Sequence, residues 1–167
     1  NSVAIRGTVD ADDDKSTTLK SGSAISKAAA INSSSASTGV RAIVGETSVA
    51  ATVASTAITL NGSSFFSINN SQITGFRVED NDASGSLVDA INAVSGDTGV
   101  VASLNKDSAL VLTASDSRNI DVSFSDTSVS DKLGNFDAFV GGTNAALTVG
   151  GAGVVTGFVA TGNLTLQ

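Results

Sequence analysis

The chain has 167 residues and a net charge of −7, and it contains no Cys, His, Tyr, Trp, Met or Pro. Without His or Cys it can build no serine triad, no thiolate site and no His-ligated zinc, and its acidic balance repels nucleic acid and anionic membrane surfaces. No apolar run approaches the ~18–20 residues that a membrane-spanning helix needs.

In chain order, the first expected element is a strand over Val3–Val9, which runs into Asp10-Ala-Asp-Asp-Asp14. Four Asp in five positions suggest a calcium loop, but the central Gly and closing Glu of an EF-hand are missing, and a solvated turn is the ordinary reading. Ser21 or Ser23 can cap a helix over 22–33 with Ala24, Ile25, Ala28 and Ile31 at helical spacing. The polar run Ser33–Ser37 ends it, Val40, Ala42 and Val44 alternate as a strand, and residues 48–60 read as another. Asn61-Gly62 then predicts a type I′ hairpin turn. A strand over Ile73–Val78 leads into a second acidic cluster, Glu79-Asp80-Asn81-Asp82. Ser84 is the expected cap of a helix over 85–95, with Leu87, Val88, Ile91 and Val94 as its apolar stripe and Gly96 as its stop. Strands over Gly99–Leu104 and Ala109–Ala114 flank a turn at Asn105–Ser108, and Arg118–Ser125 alternates with Ile120, Val122 and Phe124 on one face. From Asp131 the pattern weakens: Gly141-Gly142 and Gly150–Gly153 interrupt apolar segments before a strand at Leu164–Leu166. Gly151-x-Gly153 is not a nucleotide loop, since Thr156 stands where a third glycine is needed and no Lys-Ser or Lys-Thr follows.

Two of these helix–strand junctions share a thirteen-residue phrase, Ala30–Ala42 and Ala90–Ala102, sixty positions apart and identical at eight positions. In each, Ala-Ile-Asn (Ala30, Ile31, Asn32; Ala90, Ile91, Asn92) precedes Thr-Gly-Val (Thr38, Gly39, Val40; Thr98, Gly99, Val100). A repeat at fixed spacing reads as one supersecondary unit used twice. The glycines suit positive φ after a helix, the valines begin a core strand, and Asn32 and Asn92 stand where their amides can meet helix-end carbonyls. The expected fold is α+β, with short helices packed on antiparallel sheets in two helix–turn–strand repeat units. Residues 1–58 hold the first unit, 59–130 the second, and 131–167 supply Gly-rich returning strands.

The phrase resembles the IN motif of bacterial flagellins. The second copy matches its longer form, with Asp89-Ala-Ile-Asn92, Thr98–Ala102, Leu110-Val-Leu-Thr113 and Asp116-Ser-Arg-Asn-Ile120; the first matches at Ala30–Asn32 and Thr38–Ala42 and then diverges. The resemblance implies a surface-exposed variable outer region of a flagellin, non-catalytic and without cofactor or metal, in an extracellular flagellar filament that serves motility. It implies other flagellin subunits as partners, through a helical core absent from this sequence, so that Asn1 is expected to begin an excised piece. Ser and Thr, 43 of 167 residues, make O-linked glycans candidate partners; nucleic acid and membrane are not expected. The motif also occurs in filament-cap and hook-associated proteins, which is one alternative. A calcium-stabilised surface adhesin or binding module using Asp10–Asp14 and Glu79–Asp82 is another. Enzyme readings fare worse: the zinc protease carried by some flagellins needs a His-Glu-x-x-His helix, and a glycosidase needs a positioned acid pair where this chain has two Glu and no Trp or Tyr.

Overall fold

The computed structural model describes residues 2–135 and 157–167. The glycines at 141–142 and 150–153, and most of the expected returning segment, lie outside the described residues. The fold is α+β, with short helices and antiparallel sheets, as the sequence predicts.

The N-terminal segment departs from expectation. Val3–Val9 joins no ladder and is followed by single 3₁₀ turns at Asp10–Asp12 and Lys20–Gly22. Its alternating residues have no face to bury: Val3, Ile5 and Val9 all remain exposed, so no apolar gain offsets the cost of fixing an extended chain. Helix α1 (Ala24–Asn32) starts at Ser23, whose hydroxyl accepts the Ser26 N–H at 3.1 Å. A one-turn helix, α2 (Ser35–Thr38), leads to β1 (Ala42–Val44). The strand expected over 48–60 is broken in two, β2 (Thr47–Ala50) and β3 (Ile58–Thr59), because Thr52 and Val53 turn away to donate to the Gly134 carbonyl.

Asn61-Gly62 makes no type I′ hairpin. Neither residue has positive φ; the Asn61 side chain instead accepts the Ser63 and Ser64 N–H groups, at 2.8 and 3.1 Å. Asn can close a turn with its side chain as readily as it can adopt left-handed backbone. The reversal with positive φ at both central residues comes at Asn69-Asn70 (φ 48° and 71°), between β4 (Phe66–Ile68) and β5 (Ser71–Ile73). β3 pairs instead with β6 (Arg77–Val78).

Helix α3 (Ser86–Ala93) is capped not by Ser84 but by Asp82, whose carboxylate accepts the Leu87 and Val88 N–H groups at 2.9 and 3.1 Å. Gly96 does not stop it; one further turn, α4 (Ser95–Thr98), carries the chain to Gly99. There follow β7 (Val101–Leu104), β8 (Leu110–Ala114), β9 (Ile120–Phe124), an unexpected α5 (Thr127–Lys132) capped by Asp126, β10 (Gly157–Ala160) and β11 (Leu164–Leu166).

All described pairings are antiparallel. β2-β8-β7 form one sheet and β10-β9-β4-β5 another, while β3 with β6 and β1 with β11 make two-stranded pairs. The main core gathers Phe66, Ile68, Leu87, Ile91, Leu112 and Ile120 between these layers. The buried apolar residues of α1 and β1 are small: Ala24, Ala28 and Ala30 on the helix and Ala42 on the strand. The two junctions are therefore packed unequally.

Candidate functional site

The two junctions share their backbone geometry. At the first, the chain reverses at Gly39 (φ 70°), whose N–H returns to the Ser35 carbonyl at 2.8 Å. At the second, Gly99 (φ 69°) returns to Ser95 at 2.8 Å. The preceding threonine hydroxyl accepts the next valine's N–H: Thr38 from Val40 at 3.1 Å and Thr98 from Val100 at 3.2 Å. Each residue type has a local reason, since the helix end leaves carbonyls to satisfy, glycine takes the left-handed step without a Cβ clash, and threonine pins the exit.

The asparagines do something other than the expected capping. Asn92 donates from Nδ2 to the Ala102 carbonyl at 3.1 Å and accepts the Ala102 N–H on Oδ1 at 2.8 Å. Asn32 grips Ala42 in the same way, at 2.9 and 2.8 Å. A helix end offers only acceptors, whereas a strand edge offers a donor and an acceptor side by side, so the primary amide makes both bonds there. In effect the side chain pairs with β1 or β7 as a neighbouring strand's peptide group would, along the edge away from β11 or β8. Asn92→Ala should cost about 1–3 kcal/mol from the two lost bonds, measured by urea unfolding. Asn92→Asp should cost nearly as much, because a carboxylate can accept from Ala102 but cannot donate to it; a fully stable Asp variant would show that the donating half is idle.

Among the described residues, the second junction carries a polar shell that the first lacks. The Thr98 carbonyl accepts from Asn69 Nδ2 at 2.7 Å and from Arg118 Nη1 at 3.0 Å. Asn69, itself buried, also accepts the Asp121 N–H at 2.9 Å and so ties the helix end to β9. Arg118 lies across Gly99 and is held by Asp116 at 2.7–3.0 Å. Those bonds keep the Asp116 carboxyl below the usual carboxylate range and push the Arg118 guanidinium up. Over Gly39 no atom of the described residues would come within 4 Å of a Cβ. Ala30 and Ala90 precede Ile31 and Ile91 in the last turns of α1 and α3; Ile91 and Val100 are wholly buried, Ile31 and Val40 only half. Sequence reading did not single out Asn69, and it offered Asp82 only as a candidate calcium ligand, not as the cap of α3. Asn69-Asn70 could have been noticed as a two-residue turn between short apolar runs.

The acidic clusters are spent on the fold. Asp10 accepts the Ser21 N–H and Asp14 faces Lys15. Asp12 binds Arg6 at 2.6 Å and the Val9 N–H at 3.0 Å. Burial alone would push the Asp13 carboxyl up, but hydrogen bonds from Ser16, Ser23 and Lys15 bring it below the usual range. Asp80 accepts the Ala57 N–H, Glu79 pairs with Arg77, and Asp82 caps α3. Among the described residues no three His, Cys, Asp or Glu side chains converge to hold a metal ion, and there is no pocket.

The Arg6 hydrogen bond, then that of the Val9 amide, lowers the Asp12 carboxyl from 3.8 to about 2. A carboxyl depressed in the folded state stabilises it above the unfolded value and loses that contribution as pH falls. The Arg6–Asp12 tie should therefore hold above pH 3.8 and open as pH falls toward about 2. NMR titration of Asp12 should give a midpoint near the lower figure, and Arg6→Ala should return it toward the upper one. An ordinary midpoint in the unsubstituted chain would show that the pair does not persist in solution.

Against known families, the model described as the flagellin hook IN motif matches residues 66–116. Residues 66–116 are thus similar to a flagellin hook IN motif. The match spans a little under a third of the sequence, from β4 to Asp116, and so takes in Asn69, the second junction and the β7–β8 hairpin. It supports a flagellin-type protein with a structural role, in a family of extracellular flagellar filaments built from such subunits. A structural family is consistent with a non-enzyme.

Proposed function

We propose that this chain is a surface-exposed outer module of a flagellin, a non-catalytic building piece of the flagellar filament and thereby of motility. The observation that carries the reading is the IN-motif match over residues 66–116. It is supported by a junction whose polar groups brace the backbone: Asn92 holds Ala102, Asn69 and Arg118 hold Thr98, and Thr98 holds Val100. Partners are other subunits, met through helices outside these residues, and glycans on exposed Ser and Thr hydroxyls; no cofactor is involved. Among the described residues no helix is long and apolar enough to cross a membrane.

Deleting the segment from its parent subunit should leave filaments that assemble with an altered outer surface, as seen by electron microscopy. A shortened subunit that is stable and exported but forms no filament would place the segment in the assembly machinery instead. The matched motif is described by the hook, which gives the hook-associated or cap reading its one specific support. Immunogold labelling separates the two: label along the whole filament fits the outer module, and label confined to the hook junction or tip fits the alternative. Intact-mass spectrometry of protein from native filaments should show added hexose-type masses if the hydroxyls carry glycans.

A further inference from the structure

The first junction looks incomplete in sequence, since nothing after Ala42 resembles the Leu110-Val-Leu strand that follows the second. The sheet register supplies the missing piece. In the second unit β7 pairs antiparallel with β8, placing Ala102 opposite Leu112, Ser103 opposite Val111 and Leu104 opposite Leu110. In the first, β1 pairs antiparallel with β11, placing Ala42 opposite Leu166, Ile43 opposite Thr165 and Val44 opposite Leu164. The correspondence is rung for rung: the alanine gripped by Asn faces the second leucine of a Leu-x-Leu strand in both, and the residue two positions on faces the first. One strand comes six residues after its partner, the other from the far end of the chain.

We infer that residues 23–44 and Leu164–Leu166 form a second, discontinuous copy of the unit that residues 86–112 make in one piece. Everything between Gly45 and Asn163 is then an insertion into the first copy. The neck of that insertion is visible. The Gly45 N–H donates to the Asn163 carbonyl at 3.0 Å, and a side chain at Gly162 would meet Thr47 Oγ1 at 2.8 Å and the Gly45 and Ser117 carbonyls at 3.3 Å. At the other end of the pair, Arg41 and Gln167 exchange backbone hydrogen bonds at 2.8 Å each. A terminal strand that merely returned to the nearest open edge would have no reason to adopt this register, since a slip of two residues preserves which face each side chain meets. The consequence is a clasp: the first unit stays open until the last strand arrives, however early its helix forms. This inference goes beyond the flagellin reading and rests on register alone, so it stands or falls separately.

Because the chain has no native cysteine, paired substitutions test the register directly. Residues opposite each other without shared ladder bonds have Cα atoms about 4.5 Å apart, within the about 4.4–6.8 Å that a disulfide spans. Ala42→Cys/Leu166→Cys should close under mild oxidation, as should Ala102→Cys/Leu112→Cys, while the shifted Ala42→Cys/Leu164→Cys should stay reduced. Closure of the shifted pair, or no closure of the first pair in a folded variant, overturns the inference. Should the variants fail to fold, the unsubstituted chain provides the check: an Hα–Hα Overhauser contact between Ala42 and Leu166 is expected, and its absence is equally fatal. Leu164→Asp tests the clasp itself by hydrogen exchange, since Leu164 is the half-buried residue of β11 whereas Leu166 is exposed. Protection at the Arg41 and Gly45 amides should drop at least tenfold while that at Asn105, inside the second unit, holds. No drop at Arg41 and Gly45, or an equal drop at all three, would show that the last strand does not complete the first unit.

Discussion

Ile91→Ala is expected to destabilise the fold by about 2–5 kcal/mol, the range for removing a large aliphatic side chain from a core that cannot collapse around the gap. Ile91 is wholly buried and packs with Leu87 and Val100 against the strands beneath α3. Ile31, its counterpart in the first phrase, is half-buried and lies outside that cluster. The same change there should cost less, about 1–2 kcal/mol, since Ile31 is only partly buried and roughly two methylenes' worth of burial is lost. Urea unfolding of the two single variants, with equal m-values, decides the matter. Equal losses would mean that the first junction is packed as tightly as the second.

Gly99→Val should also be severe, and worse than Gly39→Val. Both glycines sit near φ 70°, where a β-branched side chain carries strain of about 1–3 kcal/mol. At Gly39 a Cβ would meet none of the described residues, whereas at Gly99 it would overlap the Arg118 guanidinium. That guanidinium would have to leave the Thr98 carbonyl and its place against Asp116, adding about 1 kcal/mol or more for the bonds lost. In an Arg118→Ala background the excess over Gly39→Val should vanish, a non-additivity that thermal melts of the four variants would show. If the excess persists without Arg118, the clash is not its source.

What could be read from sequence was what local chemistry decides. The stripe Leu87, Val88, Ile91 and Val94 marked α3, the alternation of Ile120, Val122 and Phe124 marked β9, and Asn105–Ser108 marked the hairpin turn between β7 and β8. Errors arose where one residue type has two uses. Asn61 closed its turn with a side chain rather than with left-handed backbone, and Asn92 spent its amide on a strand edge rather than a helix end. Ser84 looked like the cap of α3, but Asp82, two residues earlier and buried, reaches both waiting N–H groups. Val3–Val9 had the alternation of a strand without any partner to give one face an interior. The last class of miss is distance: the pairing of β1 with β11, and the docking of Ser16–Leu19 on Asn119 through bonds of 2.8–3.2 Å, join parts of the chain that no window of sequence contains together.

The pairing of Arg41 with Gln167 also determines how the domain meets tension. In an antiparallel pair the first residue of β1 and the last of β11 lie at the same end, so a pull between them loads one rung at a time. Each rung holds only about 0.5–1.5 kcal/mol. Such a seam peels, where a pair loaded lengthwise would have to break all its bonds together. The Gly45–Asn163 bond closes its far end, and the sheet β2-β8-β7 and the large side chains of the core lie behind that bond. Pulled apart at Arg41 and Gln167, the seam opens from that end toward Gly45 and releases its slack before load reaches the interior.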